Sequence, residues 1–173
     1  MTLSLYTVTV PAFRQTIDAV AKVLAKGEAF AAERGIDPAT LVAARLAPDM
    51  LPLGYQVKSV AAHSVGALAG VKAGEFTPDR SAPPTDFAGL HAVLANAAAT
   101  LAAMSAPDVD ALAGGDMAFV FGEHRMPYLA EDFLLSFSLP NFYFHAATAY
   151  DILRAQGVPL GKRDYLGRPR IKA

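Results

Sequence analysis

Four stretches of the chain place apolar residues three and four positions apart, which is the spacing of one face of an α-helix. These stretches span residues 6–24, 50–68, 87–104 and 134–152. An amphipathic helix must bury its apolar face, and four such helices do this best by packing against one another. The pattern therefore predicts an all-α fold, a four-helix bundle. The long connections after the second and third helices leave both an up-down-up-down and a crossed arrangement open.

Local signals indicate where these helices begin and end. Asp49 is a good N-cap for the second helix and Pro52 suits its first turn, whereas the third helix should begin at residues 85–86. Pro11 either kinks the first helix or begins its main part. Clusters of Gly, Pro and Asp within residues 70–84 predict a loop between the second and third helices.

A different period appears before the fourth helix. Phe119 and Phe121 alternate with smaller residues, and residues 122–124 separate them from residues 125–128. Alternation on either side of a Gly-containing turn is typical of a β-hairpin. We therefore expect a small β-hairpin before the last helix. The tail, residues 161–173, has many basic and few apolar residues, so it is expected to lie over the surface.

The composition excludes several classes of protein. With 173 residues, 53% of them hydrophobic, the chain fits one globular domain spanning residues 1–173. Its 15 basic and 16 acidic residues nearly balance without a basic stripe, which argues against nucleic acid as a partner. The absence of cysteine excludes disulfides, thiolate metal sites and cysteine nucleophiles. No apolar run reaches about 18 residues, so no membrane span is expected, and the cytoplasm is the expected location.

Asn141 and His145 are the most informative polar residues. They lie one turn apart within the apolar face of the fourth helix, which is predicted over residues 131–154. Polar groups directed at a core are costly unless they form hydrogen bonds. Pro140 should bend the helix just before this pair, because it removes the hydrogen bond to the Ser136 carbonyl. The pair is therefore either a set of core groups bonded to neighbouring helices or a buried water, or part of a metal- or substrate-binding site.

His63 and Tyr143 extend the candidate site. His63 lies at the flank of the second helix, where it faces either a neighbouring helix or a cleft, and together with His145 it supplies two good zinc ligands. Asn141 would have to be the third ligand, although its neutral carbonyl binds zinc poorly, so a harder ion or no metal is also open. Tyr143 either donates a hydrogen bond to a ligand or packs against neighbours.

Several blocks of the sequence carry a resemblance to a known family. They are Leu5-Tyr6 to Pro11-x-Phe13, Arg45-Leu46-Ala47-Pro48-Asp49-Met50, Leu139-Pro140-Asn141-Phe142-Tyr143-Phe144-His145, Ala149-Tyr150-x-Ile152-Leu153-Arg154, Gly157-Val158 and Gly161-Lys162-x-Asp164-Tyr165-Leu166-Gly167. In these blocks, which extend over nearly the whole chain, the sequence resembles an uncharacterised domain-of-unknown-function branch of the DinB/YfiT-like superfamily. The block from Leu139 to His145 is the most specific.

The resemblance implies a DinB-like four-helix bundle, often a homodimer. In the better-known members, which are described as metalloenzymes, three histidines hold one zinc or nickel ion. One histidine comes from the second helix and two from a His-x-x-x-His motif on the last helix. Some members transfer or isomerise substrates with the help of a low-molecular-weight thiol. Matched to this sequence, His63 and His145 occupy two positions of the metal site, and Asn141 stands where the third histidine would be.

Two functional hypotheses follow. In the first, the bundle keeps a polar pocket that binds a small molecule or a partner without catalysis. In the second, His63, Asn141 and His145 hold one divalent metal, zinc or nickel, in an enzyme such as a thiol-linked transferase or isomerase. Asn141 in place of histidine favours the first hypothesis, and the two retained histidines favour the second. We favour the first, with Tyr143 as a residue that contacts the ligand.

Overall fold

Helix α1 spans Leu5–Arg34 in the computed structural model, which describes residues 3–172. Its C-terminus is closed by Gly35, whose φ of 63° lies in the left-handed region that favours glycine. Pro11 lies within α1, so the helix begins before the proline rather than at it. A short helix, α2 (Pro38–Ala43), follows after a brief turn.

The second long helix consists of three consecutive segments. They are α3 (Leu53–Ala61), a π-helical turn π1 (Ala62–Gly66) and α4 (Ala67–Ala73). The predicted N-cap, Asp49, is wrong, because the helix begins only at Leu53. The first backbone N–H of the helix, that of Leu53, donates to the Ala44 carbonyl at 2.9 Å. This N–H is therefore satisfied without a side-chain cap. The helix also continues to Ala73, which lies inside the predicted loop.

Helix α5 is the third long helix and spans Phe87–Ala102. The side chain of Asp86 caps it by accepting a hydrogen bond from the Gly89 N–H at 2.7 Å, which confirms the predicted start. A short helix, α6 (Ala106–Asp110), connects α5 to the sheet. Helix α5 thus supplies the third apolar face of the bundle.

A small sheet precedes the last helix. Strands β2 (Asp116–Phe121) and β3 (His124–Leu129) form the predicted antiparallel hairpin. Strand β1 (Glu75–Phe76) pairs in parallel with β2, so the sheet in the described part of the chain has three strands in the order β1-β2-β3. The parallel strand was not predicted, because two residues are too few to show an alternating pattern.

The last long helix is also interrupted by a π turn. Its segments are α7 (Ala130–Asp132), π2 (Phe133–Ser138) and α8 (Leu139–Ala155). Pro140 lies in the first turn of α8 and cannot donate a hydrogen bond to the Ser136 carbonyl. The predicted disturbance before Pro140 therefore takes the form of a wider helical turn.

The tail includes a short helix that was not predicted from the sequence. Helix α9 spans Lys162–Leu166 and lies against α1. The Lys26 ammonium contacts the Asp164 carboxylate at 2.7 Å, and the Gln15 side-chain amide donates to the Leu166 carbonyl at 2.9 Å. The tail is therefore attached to the outer surface of the first helix.

The long helices pack through their predicted apolar faces. Helix α1 packs against α5 and α8, and α3 packs against α8 and α5. Phe13 and Phe142, both fully buried, meet edge to face with ring centroids 4.8 Å apart. Hydrophobic residues of every long helix belong to one core cluster. The predicted helical bundle is confirmed. Among residues 3–172, no helix combines the length and hydrophobicity that crossing a membrane requires.

Candidate functional site

The two π turns lie side by side and form the base of the candidate site. Ser138, the last residue of π2, donates its hydroxyl proton to the backbone carbonyl of His63 in π1 at 3.0 Å. The imidazole rings of His63 and His145 are nearly parallel, with centroids 5.6 Å apart and an interplanar angle of 15°. The structure therefore brings together the two histidines that the sequence singled out. π Turns are frequent at functional sites, because the extra residue redirects the side chains around it.

A buried amide fixes the His145 ring. Its Nδ1 atom lies 2.7 Å from Oε1 of Gln56, whose side chain is 2% exposed. The Gln56 Nε2 group donates to the Leu51 carbonyl at 2.8 Å, so Oε1 is the end that accepts. Nδ1 of His145 must then carry the proton, and Nε2 has a free lone pair. His145 therefore presents a fixed hydrogen-bond acceptor at Nε2.

His63 is held less tightly. Its Nδ1 atom lies 3.5 Å from Oγ of Ser138, which already donates its proton to the His63 carbonyl. Two aromatic rings enclose the imidazole, with centroids 5.7 Å away for Phe76 and 5.9 Å away for Phe137. His63 is therefore a partly buried imidazole between apolar walls, with one weak polar contact on its ring.

Both imidazoles are neutral near pH 7. Burial lowers the pKa of His145 to about 4. Burial also lowers the pKa of His63 to about 4, with charge repulsion from a protonated His145 as the second cause. A neutral imidazole carries one N–H donor and one acceptor nitrogen. At neutral pH the pair therefore offers lone pairs to a ligand and carries no positive charge.

The two histidines line a cavity of about 590 Å³, which we call the histidine cavity. Its inner surface also includes Asn141, and much of its wall is aromatic. Cavities that bind small molecules usually combine apolar walls with a few fixed polar groups. The remaining lining residues are Tyr55, Pro78, Phe119, Phe121, His124, Arg125, Met126 and Phe137.

Asn141 lines this cavity but uses its amide nitrogen elsewhere. Nδ2 donates to the Phe137 carbonyl at 2.8 Å, which leaves Oδ1 as the side-chain atom that could face a cation. Catalytic zinc usually takes about three protein ligands, and a neutral amide oxygen is a poor one. Within residues 3–172, no group of three or more His, Cys, Asp or Glu is placed to hold a metal. The donor set therefore falls one ligand short of the three-histidine site that the resemblance implies.

Tyr143 does not line the histidine cavity. It borders a separate, smaller cavity of about 260 Å³, together with Gln15, Tyr165 and Arg170. Burial raises the pKa of the Tyr143 phenol above its ordinary value. Its role in binding a substrate stays a prediction, and its side chain lines a different cavity from that of His145.

Sequence reasoning missed Gln56 and Ser138. Both are buried and each forms a hydrogen bond to a candidate histidine. The signal was present, because Gln56 is seven residues before His63 and Ser138 is seven residues before His145. Seven residues correspond to about two helical turns, so each polar residue lies on the same side of its helix as the histidine.

Comparisons with known proteins agree with this fold. The model of a family described as a domain of unknown function, DUF1993, matches residues 5–166. The crystal structure of a DinB family member protein from Shewanella denitrificans is similar, with a TM-score of 0.82 and 29% sequence identity. The match covers 98% of this chain and 95% of that chain. A search of curated proteins finds no match. The activity must therefore be inferred from the cavity itself.

Proposed function

This chain belongs to the DUF1993 family, a domain-of-unknown-function branch of the DinB-like superfamily, and we propose that it binds a small organic molecule in the histidine cavity. The observation that carries the proposal is the fixed orientation of His145. Gln56 holds Nδ1 at 2.7 Å and leaves the Nε2 lone pair available as an acceptor. A prepared acceptor at a cavity of about 590 Å³ suits a ligand that carries a hydroxyl or amide donor.

The walls of the cavity indicate what the rest of the ligand is like. Phe119 and Phe137 lie 4.8 Å apart between ring centroids, and Tyr55 approaches the His145 ring at 6.0 Å. Aromatic walls of this kind bury apolar or aromatic groups and gain from ring contacts. The proposed ligand therefore has an apolar body and one hydrogen-bond donor, and its binding does not depend on a catalytic step.

We expect neutral aromatic alcohols and amides, para-cresol among them, to bind in this cavity. NMR of the labelled histidine rings should show a saturable shift of the His145 Nε2 resonance, because this atom accepts the hydrogen bond from the ligand. His145→Phe keeps a ring but removes the acceptor. It should weaken binding by roughly fivefold, which corresponds to about 1 kcal/mol for one hydrogen bond. Circular dichroism checks that the variant is folded.

Tyr143→Phe is the matched control, because Tyr143 lies on the same helix as His145 but borders the smaller cavity. Its dissociation constants should equal those of the wild type. A loss of binding in Tyr143→Phe with no effect of His145→Phe would place the ligand in the smaller cavity and contradict the proposal. If none of the aromatic alcohols and amides shifts a histidine resonance, the cavity does not bind ligands of this class.

A divalent-metal enzyme is the second candidate. One observation favours it: histidines that bind metals usually donate their other ring N–H to a fixed acceptor, as His145 does to Gln56. His63 and His145 would be the metal ligands, with Asn141 as a weak third ligand. A zinc or nickel ion in this position would act as a Lewis acid. The donor set is one strong ligand short of the three protein ligands that a catalytic zinc usually takes.

Metal analysis separates the two candidates. Protein purified without an affinity tag should contain little zinc or nickel, and Asn141→His should raise zinc affinity on the order of tenfold, or about 1.4 kcal/mol, by supplying a third imidazole. His91→Ala is a suitable control, because His91 contacts Glu28 at 3.1 Å outside the cavity. Stoichiometric metal that is lost in His145→Ala would favour the metalloenzyme. An unchanged affinity in Asn141→His would show that the three positions do not share one centre.

A further inference from the structure

Four basic residues line the histidine cavity. They are His63, His124, Arg125 and His145, and none of the described lining residues is Asp or Glu. Among the described lining residues, the one with a permanent charge is Arg125, through its guanidinium. The Arg125 guanidinium is therefore the group of this lining that can bind an anion through charge-assisted hydrogen bonds.

We propose that the ligand of the histidine cavity is an amphipathic organic anion, with its carboxylate or phosphate bound by Arg125 and its apolar body between the aromatic walls. This inference rests on the proposed function, because it names the chemical class of the molecule that the same cavity binds. Planar guanidinium groups match such anions with pairs of parallel hydrogen bonds, which gives both orientation and affinity.

Glu75 holds Arg125 in position without adding an acidic group to the cavity lining. The Arg125 Nη1 group donates to Oε2 of Glu75 at 2.7 Å, and both side chains are exposed, at 62% and 45%. Glu75 lines a third cavity instead, of about 580 Å³, together with Asp79, whose carboxylate is bound to Lys58 at 2.9 Å. One hydrogen bond to Glu75 leaves further N–H groups of the guanidinium for an incoming anion.

A second cation lies close to the cavity wall. The guanidinium carbon of Arg80 is 5.9 Å from the centroid of the Phe121 ring, which lines the cavity and is 49% exposed. This distance is within the range of a cation–π contact. The outer edge therefore carries positive charge near an exposed aromatic surface, which suits the boundary between the apolar body and the charged head of an amphipathic anion.

The inner end of the cavity sets the direction in which such a ligand enters. The lone pair on Nε2 of His145 repels a carboxylate but accepts a hydrogen bond from a hydroxyl or an amide. An anion is therefore favoured at Arg125 and disfavoured beside His145. The ligand should place its donor inward, its apolar part along Phe119 and Phe137, and its negative group at the rim.

Three probes with the same para-hydroxyphenyl group test this inference: the propanoate, the matching propanamide and tyramine, which are anionic, neutral and cationic. Calorimetry at low salt should give the tightest binding for the propanoate, roughly tenfold tighter than for the propanamide, with tyramine weakest. The preference should fall as salt is raised, because the Arg125 side chain is exposed.

Arg125→Gln removes the charge at an exposed position and should abolish the preference for the propanoate over the propanamide. Arg34→Gln is the matched control, because Arg34 lies over Phe30 at the end of α1 and does not line the cavity. Equal binding of propanoate and propanamide, or an unchanged preference in Arg125→Gln, would overturn the anion proposal while the cavity proposal stands. Failure of all three probes to shift the histidine resonances would count against the binding function itself.

Discussion

Replacing Phe142 with alanine should lower the free energy of unfolding by about 3–5 kcal/mol, the usual cost of removing a fully buried aromatic ring. The Phe142 side chain has 0% exposure and packs edge to face on Phe13, with ring centroids 4.8 Å apart. Its removal leaves a cavity between α8 and α1 that close-packed neighbours fill only in part. Urea denaturation followed by circular dichroism measures the change.

Phe144→Ala is the matched control for this prediction. Phe144 lies two residues further along the same helix, but its side chain is 55% exposed. Its truncation should change the free energy of unfolding by less than about 1 kcal/mol, since surface substitutions usually have small effects. Equal losses for the two variants would mean that α8 does not present Phe142 to the core. Because Phe142 anchors the turn between Asn141 and His145, its truncation should also weaken ligand binding.

Acidification from pH 7 to pH 4 should destabilise the protein through the two stacked histidines. Their pKa is about 4 in the folded chain, against an ordinary value of 6.5. Below pH 6.5 the unfolded chain therefore binds protons that the folded chain does not. The free energy of unfolding is therefore highest above about pH 6.5. It decreases as the pH falls from there through about 4. A difference of one pKa unit between the folded and the unfolded chain corresponds to about 1.4 kcal/mol of unfolding free energy for a fully buried group. The effect is smaller here, because both rings keep some exposure.

Unfolding measured at several pH values tests this expectation. His63→Phe should flatten the acid limb of the stability curve, because it removes one of the two buried imidazoles and keeps the hydrogen bond from Ser138 to the backbone carbonyl at position 63. His124→Phe is the control, since His124 is exposed at the cavity rim. A steep acid limb that persists unchanged in His63→Phe would assign the acid sensitivity to other groups. NMR titration of the rings reports both pKa values directly.

The helices were predictable because their apolar residues follow a helical period over many turns. The start of α5 was also predictable, because Asp86 is a helix-capping residue that directly precedes an apolar helix face. The π turns were not predictable in this way. In a π turn each backbone N–H bonds to the carbonyl one residue further back than in an α-helix, and this change leaves little trace in the hydrophobic pattern. Only Pro140 indicated that the regular hydrogen bonding would be disturbed near that point.

The candidate site was predictable in part. His145 and Asn141 lie within a helical apolar stripe, so their inward direction could be read from the spacing. Tyr143 lies two residues from each of them, which corresponds to a turn of about 200° around the helix and places it on the opposite side. The hydrogen bond between Gln56 and His145 joins residues 89 positions apart, and no local pattern specifies such a contact.

Each π turn holds one residue more than an ordinary helical turn would need, and π1 and π2 lie beside each other where the two histidines meet. Deleting one residue from Ala62–Gly66 would let this turn close to a regular helical turn, while the helix on either side keeps its orientation. The side chains within the turn would change direction, and His63, which is one of them, would lose its place beside the His145 ring. Among homologous chains, the presence or absence of this single residue should therefore separate those that keep the histidine cavity from those that retain the bundle alone.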